Sequence, residues 1–256
     1  MSTIKVSIIT VVLNNVKGIK NAIKSVLSQD YSNIEYIVID GNSNDGTIEA
    51  INSFGKNIDH FISSPDQGIY DALNKGIEIA SGEIIGILHS DDVFFDIKVV
   101  TDMVRKLDES KAELVFSDLV IINPDTKKVL RYYMANYFQP WMLRIGWVPP
   151  HPTIFINKLI FKEFGNYSLD YKIAGDFDFL VRIFYGRNIN WAYLNRITVL
   201  MGSKGISNSG LFNKILMAKE IKSSLKKNKV WSMLIFQLLR YLIRVLELCI
   251  KPKIKI

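Results

Sequence analysis

Cysteine is almost absent from this 256-residue chain: Cys249 stands alone, so no intrachain disulfide can form. That agrees with a reducing compartment. Histidine is scarce too, with three in all and no cluster at zinc-ligand spacing. There is no helix-turn-helix pattern, no zinc-finger spacing and no aromatic RNP-like strand, so nucleic acid is not expected as a partner despite a net charge of +7. A P-loop, a G-x-G-x-x-G turn and a G-x-S-x-G elbow are all missing. The N-terminal apolar run, residues 4–13 (IKVSIITVVL), has neither a basic leader nor a small-residue cleavage site, so it does not read as a signal peptide. It is too short to span a bilayer and reads as a buried strand.

What is present alternates. Short runs rich in Val and Ile predict strands over 6–12, 35–40, 60–63 and 83–88. Helical patterns fall between and after them, over 17–28, 45–53, 70–80 and 97–109, and a further strand is expected at 114–118. Nearly continuous apolar strands read as covered on both faces, and this order predicts an α/β fold with a mostly parallel, right-handed βαβ sheet. Each early strand ends in a polar residue: Asn14 and Asn15, Asp40, Asp66, then Asp91 and Asp92. In open α/β sheets the carboxyl ends of the strands form the ligand crevice.

The stretch 123–152 holds five of the seven prolines and six aromatic residues, and reads as a loop-rich region crossing the sheet edge. A helix is expected at 158–164, a loop at 165–175 and a second helix at 176–185. Residues 211–227 look helical and lysine-rich. Beyond them, residues 230–250 (VWSMLIFQLLRYLIRVLELCI) are strongly apolar, with Arg240, Arg244 and Glu247 at helical intervals. Three charges make a transmembrane span costly. The segment reads as a helix lying in a membrane interface, with an ordinary packed helix as the alternative.

Four segments carry candidate chemistry. In HSDD (89–92), Asp91 and Asp92 are adjacent acids after a buried strand; like charges packed together call for a cation, and hard oxygen ligands suit Mg²⁺ or Mn²⁺ with a diphosphate. A helix cap explains them as well. In VIDGNSNDGT (38–47), Asp40 can accept from a base or ribose donor, and Ser43 or Asp45 can cap the next helix. In SPDQGIYDALNKG (64–76), Asp66 sits in a polar turn and Lys75 can reach a phosphate or simply pair with Asp71 at i,i+4. In AGDFDFLVRIF (174–184), Asp176 and Asp178 can cap a helix or serve as a general base, with Arg182 later on the same helix. His151, between Pro150 and Pro152, is held by stiff neighbours and is an anchor or a site residue.

Taken together, VSIITVVLNN (6–15), VIDGNSNDGT (38–47), SPDQGIYDALNKGIEIASGEIIGILHSDD (64–92), HPTIF (151–155) and GDFDFLVRIF (175–184) resemble the family 2 glycosyltransferases of GT-A fold, in particular small bacterial enzymes that assemble capsule, O-antigen or exopolysaccharide units. The resemblance covers residues 4–205. It implies a Rossmann-like sheet flanked by helices, a nucleotide-sugar donor such as a UDP-sugar, and Mn²⁺ or Mg²⁺. It implies that Val11 and Asn14 border the nucleotide, that Asp40 meets the base, and that Asp66 and Lys75 line the nucleotide and diphosphate pocket. Asp91 and Asp92 match the DXD-type motif, with Asp92 as main metal ligand. Asp176 matches the base that deprotonates the acceptor hydroxyl in an inverting transfer, with Asp178 as a substitute, and His151 and Arg182 fall on the acceptor or diphosphate side. Gly175 departs from the family, which often has an acid there. The Q-x-x-R-W motif of processive members is missing, so transfer of one sugar per event is expected.

The division that follows is a catalytic domain at 1–205, with residues 1–120 binding the nucleotide-sugar and residues 121–205 the acceptor, and a basic amphipathic helical tail at 206–256. The expected acceptor is a glycan or polyprenyl-diphosphate-linked saccharide, at the cytoplasmic face of the membrane, with the tail as a peripheral contact and a homodimer through the terminal helices left open. A nucleotidyltransferase would also use paired acids, but the chain lacks its glycine- and arginine/lysine-rich loop after the first strand. A non-catalytic membrane adaptor is the third reading, and the intact acid set speaks against it.

Overall fold

The structure, a computed structural model, describes residues 4–203 and 210–232. Four strands open the chain: β1 (Val6–Val12), β2 (Ile34–Asp40), β3 (His60–Ser63) and β4 (Ile84–Ile87). They are parallel, and helices α1 (Val16–Leu27), α2 (Thr47–Asn52) and α3 (Ile69–Ile79) connect them. Asn15 starts α1 by accepting the amide of Gly18 on its side chain, 3.0 Å away. Ile19, Ala22, Ile23 and Val26 then bury one helical stripe.

The second half adds β5 (Asp92–Phe94), α4 (Val99–Ser110), β6 (Leu114–Ile122), β7 (Val129–Tyr133), β8 (Phe155–Asn157), α5 (Leu159–Phe164), α6 (Gly175–Gly186), β9 (Trp191–Gly202) and α7 (Gly210–Lys227). All the strands join one sheet of order β3-β2-β1-β4-β8-β6-β9-β5, with β7 also on β6. The sheet is mostly parallel; β5, β7 and β8 run against it.

Alternation along β1 feeds two cores. Ile9 and Val11 face one side, with Leu73 of α3, Phe177 of α6 and Ile221 and Leu225 of α7. Val6, Ile8 and Val12 face the other, with Ile23 of α1 and Met103 of α4. Complete burial of both faces is why these strands read as continuous apolar runs.

Three expectations change. The 123–152 stretch is not all loop: β7 forms a hairpin with β6, short 3₁₀ turns cover Pro140–Ile145 and His151–Thr153, and Phe138, Leu143 and Trp147 are core residues. Asp91 and Asp92 do not cap a helix, because Asp92 opens β5 and pairs with Met201 of β9. The segment expected as a tail divides. Residues 210–232 belong to the body of the domain, with Ile221, Leu225 and Val230 in its core. The apolar stretch from 233 onward, with Arg240, Arg244 and Glu247, lies outside the described residues. Among the described residues, no helix is long and apolar enough to cross a membrane.

Candidate active site

Strand register fixes the site before any side chain is considered. Val12 of β1 lies abreast of Asp40 of β2, and Asp40 abreast of Ser63 of β3. Ile87 of β4 pairs with Ile9, so the chain after β4 emerges at the same edge. The loops that leave this edge are stitched together. Asn14, in the left-handed region at φ 51, donates its amide to Ser43 Oγ (2.8 Å) and accepts the amide of Asn44 on Oδ1 (3.0 Å). Asn15 Nδ2 donates to Ser90 Oγ at 3.2 Å, tying α1 to the acidic turn. The side chain of Val11 is buried in the core, so Val11 reaches this edge through its backbone alone.

Asp40 closes β2. It is fully buried, and its carboxylate accepts from the amides of Asn42 (3.1 Å) and Ser43 (3.0 Å) and the hydroxyls of Ser43 (2.5 Å) and Ser63 (2.7 Å). Three of these donors fall on Oδ2 and one on Oδ1, so the carboxylate shapes the 41–44 turn. The partly exposed carboxylate at this strand end is that of Asp66. It leans over Gly41, where an added Cβ would sit 2.5 Å from Asp66 Oδ2. Glycine at 41 is what lets the carboxylate lie there. Asp66 Oδ1 accepts the amide of Gly68 (2.9 Å), and Oδ2 has no protein donor among the described residues.

Lys75 lies on α3. Its ammonium donates to Pro65 O (2.8 Å) and Ser64 Oγ (3.3 Å) and pairs with Asp71 (3.4 Å). These contacts brace the loop carrying Asp66.

The acidic turn separates its two carboxyls. Asp92 is 1% exposed, and its Oδ1 is buried with no hydrogen-bond partner. Burial, and then the charge of Asp91, push its pKa well above the usual carboxylate range. Asp91 keeps solvent contact. Asp91 is therefore the more accessible of the two, and Asp92 stands behind it.

His89 and His151 stack with ring centroids 5.7 Å apart, and His151 Nε2 bonds to Tyr167 Oη at 2.8 Å. Burial lowers both imidazoles to about 4, aided at His89 by His151 and opposed there by Asp91 and Asp176. Both rings are neutral near pH 7. His89 lies within electrostatic reach of Asp91 and Asp176, so it links the acidic turn to α6.

Asp176 stands in the first turn of α6, with Oδ1 accepting its neighbour's amide at Phe177 (2.8 Å) and lying 3.3 Å from Tyr70 Oη. Dense surroundings raise its pKa, against the amide of Phe177, the hydroxyl of Tyr70 and His89, while one edge of the residue stays open to solvent. A raised carboxyl at a crevice edge is suited to accept a proton near neutral pH.

Asp178 and Arg182 are elsewhere. Asp178 is 2% exposed and accepts from Arg182 Nε (3.0 Å), Ser224 Oγ (2.8 Å) and Asn228 Nδ2 (3.1 Å). It is sealed under α7, away from the crevice edge where Asp176 stands. Arg182 spends its remaining donors on the carbonyls of Phe164, Gly165 and Asn166, so it anchors that loop. Gly175 also gains an explanation: a Cβ there would meet the Tyr70 ring at 2.7 Å, so no acid fits before Asp176. Tyr70 and Tyr167, which touch Asp176 and His151, were not singled out by sequence reading; in the sequence they are aromatic positions like any other.

Among the described residues, no three His, Cys, Asp or Glu groups gather as a ready-made metal cage. The adjacent carboxyls of Asp91 and Asp92, one with an orphaned oxygen, do fit a hard cation that takes its other ligands from substrate phosphates.

Residues 7–174 match the profile described as Glycosyl transferase family 2. The chain belongs to this family and is a glycosyltransferase. A related uncharacterized glycosyltransferase of Mycobacterium tuberculosis is 35% identical over 182 residues, 69% of this chain and 68% of that one. A PGL/p-HBAD biosynthesis glycosyltransferase of Mycobacterium bovis is 25% identical over 220 residues, 84% and 82% of the two chains. Among solved structures, S. aureus TarS 1–349 in complex with UDP superposes with a TM-score of 0.66 at 17% identity, covering 86% of this chain and 65% of that one. The mannosyltransferase PcManGT from Pyrobaculum calidifontis, in complex with GDP-Man and Mn²⁺, gives 0.66 at 18% identity, covering 89% and 64%. This glycosyltransferase therefore spans just under two thirds of the length of these two solved chains, and the likeness to them is one of fold: the expected GT-A architecture.

Proposed function

We propose that this glycosyltransferase moves one sugar per event from a nucleotide-sugar, a UDP-sugar by our reading, to a hydroxyl of a glycan or polyprenyl-diphosphate-linked saccharide, with inversion. The observation that carries this reading is the gathering of Asp66, Asp91, Asp92 and Asp176 at the carboxyl edge of one sheet. Asp66 Oδ2, open over Gly41, accepts an imide N–H of the base. Asp91, backed by Asp92, would hold Mn²⁺ or Mg²⁺, and the ion would supply positive charge to offset that of the departing diphosphate.

Asp176 takes the proton of the acceptor hydroxyl as its oxygen bonds to the anomeric carbon and the bond from that carbon to the diphosphate oxygen breaks. One displacement inverts the anomeric centre. The neutral ring of His89 lies within electrostatic reach of both Asp91 and Asp176 and adds no charge between them, and His151 stacks behind it. The enzyme works at the cytoplasmic face of a membrane, where a basic apolar segment after Ser232 gives peripheral attachment. A chain ending at Ser232 should keep donor binding and lose recovery with anionic vesicles; unchanged recovery refutes the attachment.

The test is hydrolysis of UDP-, GDP- and dTDP-sugars by the purified enzyme, with and without Mn²⁺ or Mg²⁺, beside Asp91→Asn, Asp92→Ala and Asp176→Asn. One donor should be consumed, only with metal, and Asp91→Asn should abolish it. Without turnover or metal-dependent nucleotide binding, the reading fails.

A further inference from the structure

Helix α7 lays a polar stripe against the start of α6. Glu220, Ser224 and Asn228 are spaced i, i+4, i+8 and so share one face of the α7 end. Glu220 is 8% exposed, and its carboxylate accepts three successive amides, those of Lys172, Ile173 and Ala174, each at 2.9 Å. No side chain of α6 or its N-cap Ala174 does this work. The peptide unit joining Ile173 to Ala174 is held on both sides: its N–H by Glu220, its C=O by the Tyr70 hydroxyl at 2.7 Å. Two residues later comes Asp176. One turn further, Ser224 and Asn228 hold Asp178.

We infer that Glu220 is a positioning residue for Asp176, acting through the 172–174 backbone, with Ser224 and Asn228 fixing the next turn of the same helix. The inference rests on the proposed role of Asp176 as the base. The physical case is direct. An anion at a helix N-terminus accepting several amides is strongly bound, and a buried carboxylate released from them has nowhere else to go. Three carboxylate-held amides and one tyrosine-held carbonyl leave the backbone before Asp176 a single arrangement, and base catalysis depends on placement to within about 1 Å. Helix α7, outside the family-matched residues 7–174, thereby belongs to the catalytic apparatus.

The test compares Glu220→Gln and Glu220→Ala with wild type and with Lys222→Gln on the exposed face of α7. In hydrogen exchange, amides 172–174 should exchange about tenfold or more faster in Glu220→Gln, with UDP and Mn²⁺ binding within twofold of wild type. In turnover of the donor found by the nucleotide-sugar panel, kcat should fall about 10- to 100-fold with donor KM within about twofold. Glu220→Asp should restore some of the loss, and Lys222→Gln should match wild type. Unchanged exchange at 172–174, or full kcat in Glu220→Gln where Asp176→Asn is inactive, overturns the inference. Full activity of Asp176→Asn instead refutes the assignment of the base; the exchange arm still reads the clamp by itself.

Discussion

Replacing Gly175 with alanine tests the packing behind the site with a single methyl group. The added Cβ would lie 2.7, 2.8 and 2.9 Å from three atoms of the Tyr70 ring. Carbon atoms settle at about 3.5–4.0 Å, so the contact is roughly 1 Å too close. The ring cannot swing clear: Tyr70 is 6% exposed, and its hydroxyl is fixed to Ile173 O. Overpacking of this kind costs about 1–3 kcal/mol. Gly175 is not at positive φ, so alanine also gains about 0.4–1 kcal/mol from a stiffer unfolded chain. The net expectation is a loss of about 1–2 kcal/mol, or about 2–8 °C in Tm for a domain of this size. The displaced backbone carries Asp176 with it, so donor turnover should fall about 100-fold. Thermal melting and saturating turnover measure the two effects. A variant that melts at or above wild type and turns over normally would refute both the contact and the coupling drawn from it.

Two further outcomes follow from the same reasoning. Glu35 is buried at the opposite edge of the sheet; burial works to raise its pKa, but hydrogen bonds from Ser7, Ser81 and Lys5 outweigh it and bring it down to about 2. A folded pKa below the unfolded one gives stability that is complete above about pH 4.5 and is lost as pH falls toward 2. Glu35→Gln should therefore lose about 1–3 kcal/mol at pH 7 and show a shallower acid decline in urea melts at pH 7, 4.5 and 3; parallel pH curves would refute this. Arg182→Ala leaves the buried Asp178 carboxylate without its cation and should cost about 3–5 kcal/mol, seen as a large drop in Tm, whereas an unchanged Tm with a raised acceptor KM would return Arg182 to the acceptor site.

The parallel half of the fold was legible residue by residue. Strands β1 to β4 and helices α1 to α4 lie within a few residues of their expected bounds, because each is buried by local pattern alone. The motifs at their ends also came to one edge, since βαβ handedness leaves little choice. The short strands β5 and β8, the hairpin strand β7 and the long β9 were not legible. Their residues pair with chain far away in sequence, as Asp92 does with Met201, and carry no period of their own.

Sequence by itself determined the fold class, the family and the crevice to which the acids belong, because apolar periodicity and strand-end residues are local properties. Tertiary structure alone decided what each polar group does, since that depends on which donors surround it. Asp40 accepts from the turn it shapes, Lys75 donates to a loop carbonyl, and Asp178 and Arg182 face each other under α7. Asp66 and Asp176 keep a face toward solvent. A carboxylate reads the same in any sequence; its partners, fixed only by packing across the sheet, make one a structural brace and leave another open to the crevice.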